Sequence, residues 1–131
     1  MFAMSGRDSM EEVTITIPLV PPSLNVFYSG RHWAIRKALA DEWHNAVWVI
    51  CKKQKIKKIT EFPVDIITQT YYKSKRERDT DNTILAPKLI CDGLKLAGII
   101  PDDNPKYIGT HIIKPPIIGY KEDMTVVKIC Y

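Results

Sequence analysis

Two aspartates one residue apart, Asp79 and Asp81, have the spacing in this sequence that points most directly to chemistry. A run of cations precedes them, and a third candidate carboxylate, Asp103, lies in a later proline-bounded turn. Hard divalent cations such as Mg²⁺ bind few protein carboxylates, keep several waters and bridge to phosphate oxygens. Three aspartates beside basic residues therefore predict a magnesium site, with Mn²⁺ as a substitute, that acts on a phosphate-bearing substrate.

Each acidic residue taken alone also has a structural explanation. Asp81 can cap a helix, the "PDDN" stretch that contains Asp102 and Asp103 is a common turn composition, and Asp92 suits a solvent-facing helical position. The combination favours a site, because Asp79, Asp81 and Asp103 lie at the ends of elements that bracket one predicted helix. We therefore expect the three to converge at one rim of a sheet.

Phosphodiester hydrolysis is the reaction that fits this charge pattern. Metal ions lower the pKa of bound water and neutralise the leaving oxygen. A nearby lysine stabilises the charge that develops in the transition state, and Lys88 in the second predicted helix is the best-placed candidate. No motif for a nucleotide cofactor is present.

The net charge of +4 is a mild bias toward anionic partners, and the cations are concentrated in two basic blocks. The block just before the aspartates predicts phosphate contacts with a polyanionic substrate. It consists of Lys73, Lys75, Arg76 and Arg78. The other block, the lysines between 52 and 58, equally suits the C-terminal end of a helix, where cations complement the helix dipole.

The hydrophobic periodicity predicts one α+β domain with the order β-α-β-α-β-β, in which the helices pack on a small mixed sheet. The domain covers residues 12–131 and follows a flexible N-terminal tail at 1–11. The predicted elements are strands at Val13–Ile17 and Val64–Tyr72, helices from about Ala34 to Gln54 and from Pro87 to a cap at Gly98, and strands in "YIGTHII" and "MTVVKIC".

Composition excludes several classes of protein. The hydrophobic fraction of 45% and the charged fraction of 26% are typical of globular domains. Neither a run of ~20 apolar residues nor a signal peptide is present, which predicts a cytoplasmic protein without a membrane partner. Cys51, Cys91 and Cys130 lack the spacing of a zinc or redox site, so buried free thiols are expected.

Three segments together resemble the RusA-type Holliday junction resolvases, endonucleases of bacteria and their phages. They are "ITIPLVPPSLN", "RERDTDN" and "CDGLKLAGIIPDDNPKYIG", in the family's order, and they carry the patterns P-P-S-x-N, R-D-x-D-N, D-[GA]-L and G-x-[IVWF]-x-D-D. The resemblance covers most of the chain. A lone D-x-D is weak evidence, whereas the combined pattern is fairly specific.

The resemblance implies a RusA-like fold and a Mg²⁺-dependent homodimer that resolves four-way junction DNA by paired symmetric nicks during recombination and repair. It assigns Asp79, Asp81 and Asp103 as catalytic metal ligands and gives Asp92 and Asp102 no defined role. Lys88 lies four residues before Asp92, as the family's lysine does.

Lys88 departs from the pattern in one respect, because it lies seven residues after Asp81, where the family has four. Either the extra residues bulge out before Pro87 and Lys88 still reaches the site, or its role passes to Lys75 or Arg78.

Two other functions remain open from the residues. In a non-catalytic nucleic-acid-binding module the aspartates are turn residues and the lysines bind the partner. In a glycosyltransferase the D-x-D would hold a metal and a nucleotide sugar, but 131 residues leave little room for an acceptor site.

Overall fold

A computed structural model of the chain describes residues 11–23, 27, 33–78 and 83–131. Within them the elements follow the predicted order, and each boundary lies within one or two residues of its predicted position. The elements are β1 (Glu12–Ile17), α1 (Trp33–Lys53), β2 (Val64–Tyr71), α2 (Ala86–Leu96), β3 (Ile108–Ile113) and β4 (Met124–Cys130). The predicted α+β arrangement of two helices and a small mixed sheet is confirmed.

The four strands form one sheet in the order β1-β4-β2-β3. β4 runs antiparallel to both of its neighbours, whereas β2 and β3 run parallel. A parallel pair needs a long crossover connection, and α2 lies in the connection between β2 and β3. The last two strands of the chain are therefore not adjacent, because β2 lies between them.

The hydrophobic core lies between the two helices and one face of the sheet. Alternate residues of β2 are buried on this face, and those on the other face are partly exposed. The buried cluster joins side chains of every strand except β3 with both helices. It includes Ile15, Ile17, Trp43, Val47, Ile66, Leu89, Leu94, Val127 and Ile129. We call the other face of the sheet the outer face.

The two helices pack closely where α2 has a glycine. A Cβ atom placed on Gly93 would lie 2.8 Å from the Cβ of Val47 on α1, which is too short for a real contact. Trp43, one turn before Val47, is 1% exposed and belongs to the core. Trp48 lies on the outside of the same helix and is 44% exposed.

The predictions for the ends of the domain and for its thiols are confirmed in part. Glu11 exchanges backbone hydrogen bonds with Tyr131, so the β1–β4 ladder extends to that residue, and the rest of the predicted tail lies outside the described residues. All three cysteines are buried free thiols, as predicted. In the described part of the chain, neither helix is long and apolar enough to cross a bilayer.

Candidate functional site

The predicted aspartate pair falls in a gap of the description. Asp79 and Asp81 lie outside the described residues, which stop at Arg78 and resume at Thr83. Thr83 is fully buried at the turn that leads into α2. The pair is therefore located only through its neighbours in the chain, the basic segment after β2 and the start of α2.

The turn at 83–85 fixes where α2 begins. The N–H of Ala86 donates to the carbonyl oxygen of Thr83 at 3.1 Å, and the N–H of Leu89 donates to that of Leu85 at 3.1 Å. Thr83 and Leu85 are buried, and only Ile84 of the turn is exposed. These residues pack onto the core. The described part of the segment between Asp81 and Pro87, which is longer than in the RusA-type pattern, therefore does not project as a bulge.

One face of α2 carries a stripe of charged residues. Lys88, Asp92 and Lys95 are spaced by four and three positions, which places them above one another on a helix. The Nζ atom of Lys88 lies 3.7 Å from Oδ2 of Asp92, and the lysine side chain is 63% exposed. Lys88 thus sits at the surface beside a carboxylate, close to the N-terminal end of α2.

The turn after α2 folds back so that its two aspartates meet Lys95. The Nζ atom of Lys95 lies 3.4 Å from Oδ1 of Asp102 and 3.7 Å from Oδ1 of Asp103. The backbone N–H of Asp103 donates to Oδ1 of Asp102 at 2.8 Å, and the Asn104 amide donates to Oδ2 at 3.2 Å. We call Lys88, Asp92, Lys95, Asp102 and Asp103 the acidic rim.

The charges of the rim act on one another. The carboxylate of Asp103, followed by the hydrogen bond to Asp102, raises the pKa of Lys95. The pKa of Asp102 is lowered, first by the hydrogen bond from the Asp103 backbone and to a lesser extent by Lys95. Burial raises the pKa of the Cys91 thiol to about 12, and the charges of Asp103 and Asp92 add to the effect.

The rim runs the length of α2 and does not gather at one end of it. Thr83 lies before the first turn of α2 and Asp103 lies beyond its last, and 11 helical residues span about 16 Å. Lys88 and Asp92 occupy the face between these two ends. Within the described ranges, no group of three or more His, Cys, Asp or Glu side chains is arranged to hold a metal ion. Whether Asp79 and Asp81 join Asp103 stays a prediction.

One member of the rim, Lys95, and one neighbour of it, His44, were not singled out from the sequence. A lysine is common at the C-terminal end of a helix, so its type alone gave Lys95 no functional meaning. Only its spacing of seven residues from Lys88 indicated that the two share a helical face. His44 on α1 places Nε2 3.9 Å from Oδ2 of Asp92, and that buried atom makes no hydrogen bond within the described residues. His44, Asp92 and Lys95 line an open groove with Leu96 and Pro101, with a volume of about 380 Å³.

The basic segment that follows β2 is fastened by the loop between β3 and β4. The N–H of Lys73 donates to Oδ1 of Asp123 at 2.7 Å, and the N–H of Gly119 donates to the carbonyl of Ser74 at 3.0 Å. The N–H of Tyr120 donates to the carbonyl oxygen of Tyr72 at 2.9 Å. With its backbone held in this way, the segment exposes three of its four predicted DNA-binding residues: Lys73, Lys75 and Arg76.

Arg78 differs from the other three cations. Its guanidinium lies 4.3 Å from the centre of the Tyr72 ring, a cation–π contact, and the residue is only partly exposed. Its Nε atom is buried and has no hydrogen-bond partner in the part of the chain that is described. Arg78 is therefore anchored against the end of β2, directly before the predicted aspartate pair.

Comparison with known proteins adds no family. No protein-family model matches this chain, and no curated protein matches it. The likeness to the RusA-type resolvases rests on the sequence motifs alone.

Proposed function

We propose that this protein is a Mg²⁺-dependent, structure-specific endodeoxyribonuclease of the RusA type that cleaves four-way DNA junctions. The observation that carries the proposal is the acidic rim, in which Asp103 is held beside Lys95 and Asp102 while Lys88 pairs with Asp92 on the same helical face. The motif resemblance supplies the reaction and the substrate.

The donor atoms of the proposed site suit magnesium. Asp79, Asp81 and Asp103 would hold the ion, and carboxylate oxygens are the ligands that Mg²⁺ prefers. When bound, Mg²⁺ supplies Lewis-acid chemistry for the attack of water on a phosphodiester. Asp92 lies on α2 between Thr83 and Asp103, so its contribution has to be tested alongside that of Asp103.

The two lysines of the rim have different proposed roles. Lys88 is the more exposed, so its ammonium is available to a phosphate oxygen and stabilises the negative charge that grows in the transition state. Lys95 holds the carboxylates of Asp102 and Asp103 in place, which makes it a positioning residue. Lys73, Lys75 and Arg76 contact phosphates on the approaching strand.

Two nicks in opposed strands resolve a junction, and the chain offers one D-x-D cluster. A two-fold homodimer supplies two such clusters in a symmetry that matches the junction, and isologous dimers are by far the commonest oligomers. The second copy is therefore part of the proposal.

The direct experiment incubates the protein with a synthetic mobile four-way junction and Mg²⁺ and maps the products at nucleotide resolution. We expect paired symmetric nicks that EDTA abolishes. Binding that persists in EDTA without any cleavage in Mg²⁺ would favour the non-catalytic binding module instead.

Lysine variants in the same assay separate the two roles. Lys88→Gln should lower the cleavage rate by about 100-fold or more at saturating DNA, as loss of a transition-state charge contact does. Lys95→Gln should have a smaller effect that higher Mg²⁺ concentrations partly restore. Lys128→Gln is the matched control, because Lys128 is also an exposed, ion-paired lysine but lies on the outer face of the sheet.

A further inference from the structure

An exposed indole and three cations surround an open groove at the start of α1. Trp33 is 70% exposed to solvent, although tryptophan has the largest of the apolar side chains. The groove has a volume of about 320 Å³, near the lower limit of ~300 Å³ for ligand pockets. Its lining residues are Phe27, Trp33, Arg36, Lys37, Ala40 and Lys88.

We propose that this indole groove binds an unpaired nucleobase of the DNA substrate, with Trp33 stacked on the base and Lys37 and Lys88 against the adjoining phosphates. The inference rests on the proposed function, because it takes the substrate to be DNA. It adds a base-binding subsite that the aspartates and the basic segment after β2 do not provide.

The composition of the groove matches the two halves of a nucleotide. The apolar part of the groove includes Ala40 and Phe27, and Phe27 is 7% exposed. The cations line the rest of the groove. A nucleobase has a flat face that stacks on aromatic rings, and its phosphate is attracted to lysine and arginine. Three of the six lining residues are cations, Arg36, Lys37 and Lys88, so charge complementarity favours an anionic occupant over a purely apolar one.

The ion pairs around the groove leave its lysines available to a phosphate. Lys37 pairs with Asp41 at 2.7 Å, but both side chains are more than half exposed. Such a surface pair contributes little free energy, so a phosphate can replace the carboxylate at small cost. Lys88 keeps its longer contact of 3.7 Å with Asp92.

Lys88 joins the indole groove to the acidic rim, because it lines the groove and also contacts Asp92. A base held on Trp33 therefore places a neighbouring phosphate close to the rim. Extracting a base from a duplex costs least where the base is already unpaired. The subsite would thus favour single-stranded DNA over an intact duplex.

A second tryptophan provides an internal control. Trp48 is also exposed on α1 and has the Nζ atom of Lys52 at 5.5 Å from its ring centre. It resembles Trp33 in exposure and in its lysine neighbour, but it does not line the groove that contains Lys88. A general loss of aromatic surface would affect both positions, whereas a base-binding subsite affects only Trp33.

The test measures binding of a fluorescent oligo-dT strand and of a four-way junction by anisotropy, in EDTA so that no cleavage occurs. Trp33→Ala should weaken binding of the single strand by about 10-fold or more, whereas Trp33→Phe should retain most of it. Trp48→Ala should bind as the wild type does. Lys37→Gln should lower the slope of log affinity against log salt by about one.

Unchanged single-strand binding by Trp33→Ala would overturn the inference. So would a Trp33→Ala protein that keeps its affinity but sediments at half the wild-type mass, because the groove would then be an interface between two copies. The result is independent of the proposed reaction. If the wild type fails to cleave junctions but Trp33→Ala weakens single-strand binding, the nuclease proposal is contradicted and the groove proposal is supported. If the wild type cleaves junctions and Trp33→Ala binds the single strand as the wild type does, the groove proposal is contradicted and the nuclease proposal is supported.

Discussion

Burial changes the chemistry of His111, a residue of β3 that faces α2. Its Nε2 atom lies 3.0 Å from the hydroxyl of Thr68 on β2, and its Nδ1 atom lies 4.0 Å from the thiol of Cys91 on α2. Removal of the ring from water disfavours the charged form and lowers the pKa of His111 to about 4. The neutral ring thus links three elements.

This lowered pKa predicts how stability depends on pH. Between the ordinary histidine pKa of about 6.5 and the folded value, the unfolded chain binds more protons, so the free energy of unfolding falls as the pH drops through that window. The loss attributable to His111 should approach about 3 kcal/mol near pH 4. Urea unfolding of the wild type and of His111→Gln at several values from pH 7.5 to 4 measures it.

The comparison uses the slope with pH, so any loss of packing in His111→Gln at neutral pH cancels. We expect the variant to lose less stability on acidification than the wild type. Parallel pH profiles for the two proteins would show that the ring is not held neutral by the fold.

The two lysines of the rim show what the sequence can predict about single residues. The contact of Lys88 with Asp92 follows from their spacing of four on a helix, so it was foreseeable. The contacts of Lys95 with Asp102 and Asp103 depend on how the turn after Gly98 folds back, which local spacing does not encode. Gly98 permits that turn because its φ is +76°.

At the scale of elements, the contact between α1 and α2 depends on Gly93. The side chain of an alanine there would overlap Val47, whose Cβ lies 2.8 Å from the ideal Cβ position. Overpacking of this kind costs about 1–3 kcal/mol, and the better helix propensity of alanine offsets up to about 1 kcal/mol. Gly93→Ala should therefore lower the midpoint of urea unfolding.

Leu96→Ala is the control for that experiment, since Leu96 is on the same helix but 66% exposed and should change stability by less than about 0.5 kcal/mol. A Gly93→Ala protein as stable as the wild type would mean that α1 and α2 can move apart without lowering the free energy of unfolding. It would also mean that the position of the rim relative to α1 is less fixed than the packing indicates.

Hydrophobic periodicity and the proline and glycine positions predicted all six elements. These signals, including Pro87 and Gly98 at the ends of α2, depend only on residues that are close in the sequence. The order of the strands in the sheet is not local, and β2 proved to separate β3 from β4. The expectation that three aspartates meet at one rim also required this information. Since β2 and β3 are parallel, the residues that follow β2 and those that precede β3 lie toward opposite ends of the sheet.

For the whole molecule, the features tied to the proposed reaction belong largely to the helical side. The acidic rim and the indole groove share Lys88, and the basic segment is fastened to the loop before β4. The outer face of the sheet presents Ile67, Tyr71 and Val126 with Lys114 and Lys128. The homodimer stays a prediction, to which sedimentation at working concentration gives a direct answer.

The measurement that tests the central claim most directly is Mg²⁺-dependent cleavage of a four-way junction by aspartate variants, with binding measured in parallel. Asp103→Asn, Asp79→Asn and Asp81→Asn should each reduce cleavage to background and leave junction binding unchanged or tighter, since each removes a ligand and lessens repulsion toward phosphate. Asp92→Asn shows whether the carboxylate beside Lys88 also takes part, and Glu12→Gln on the outer face should cleave normally. Cleavage by Asp103→Asn at the wild-type rate under saturating Mg²⁺ would contradict the proposed site.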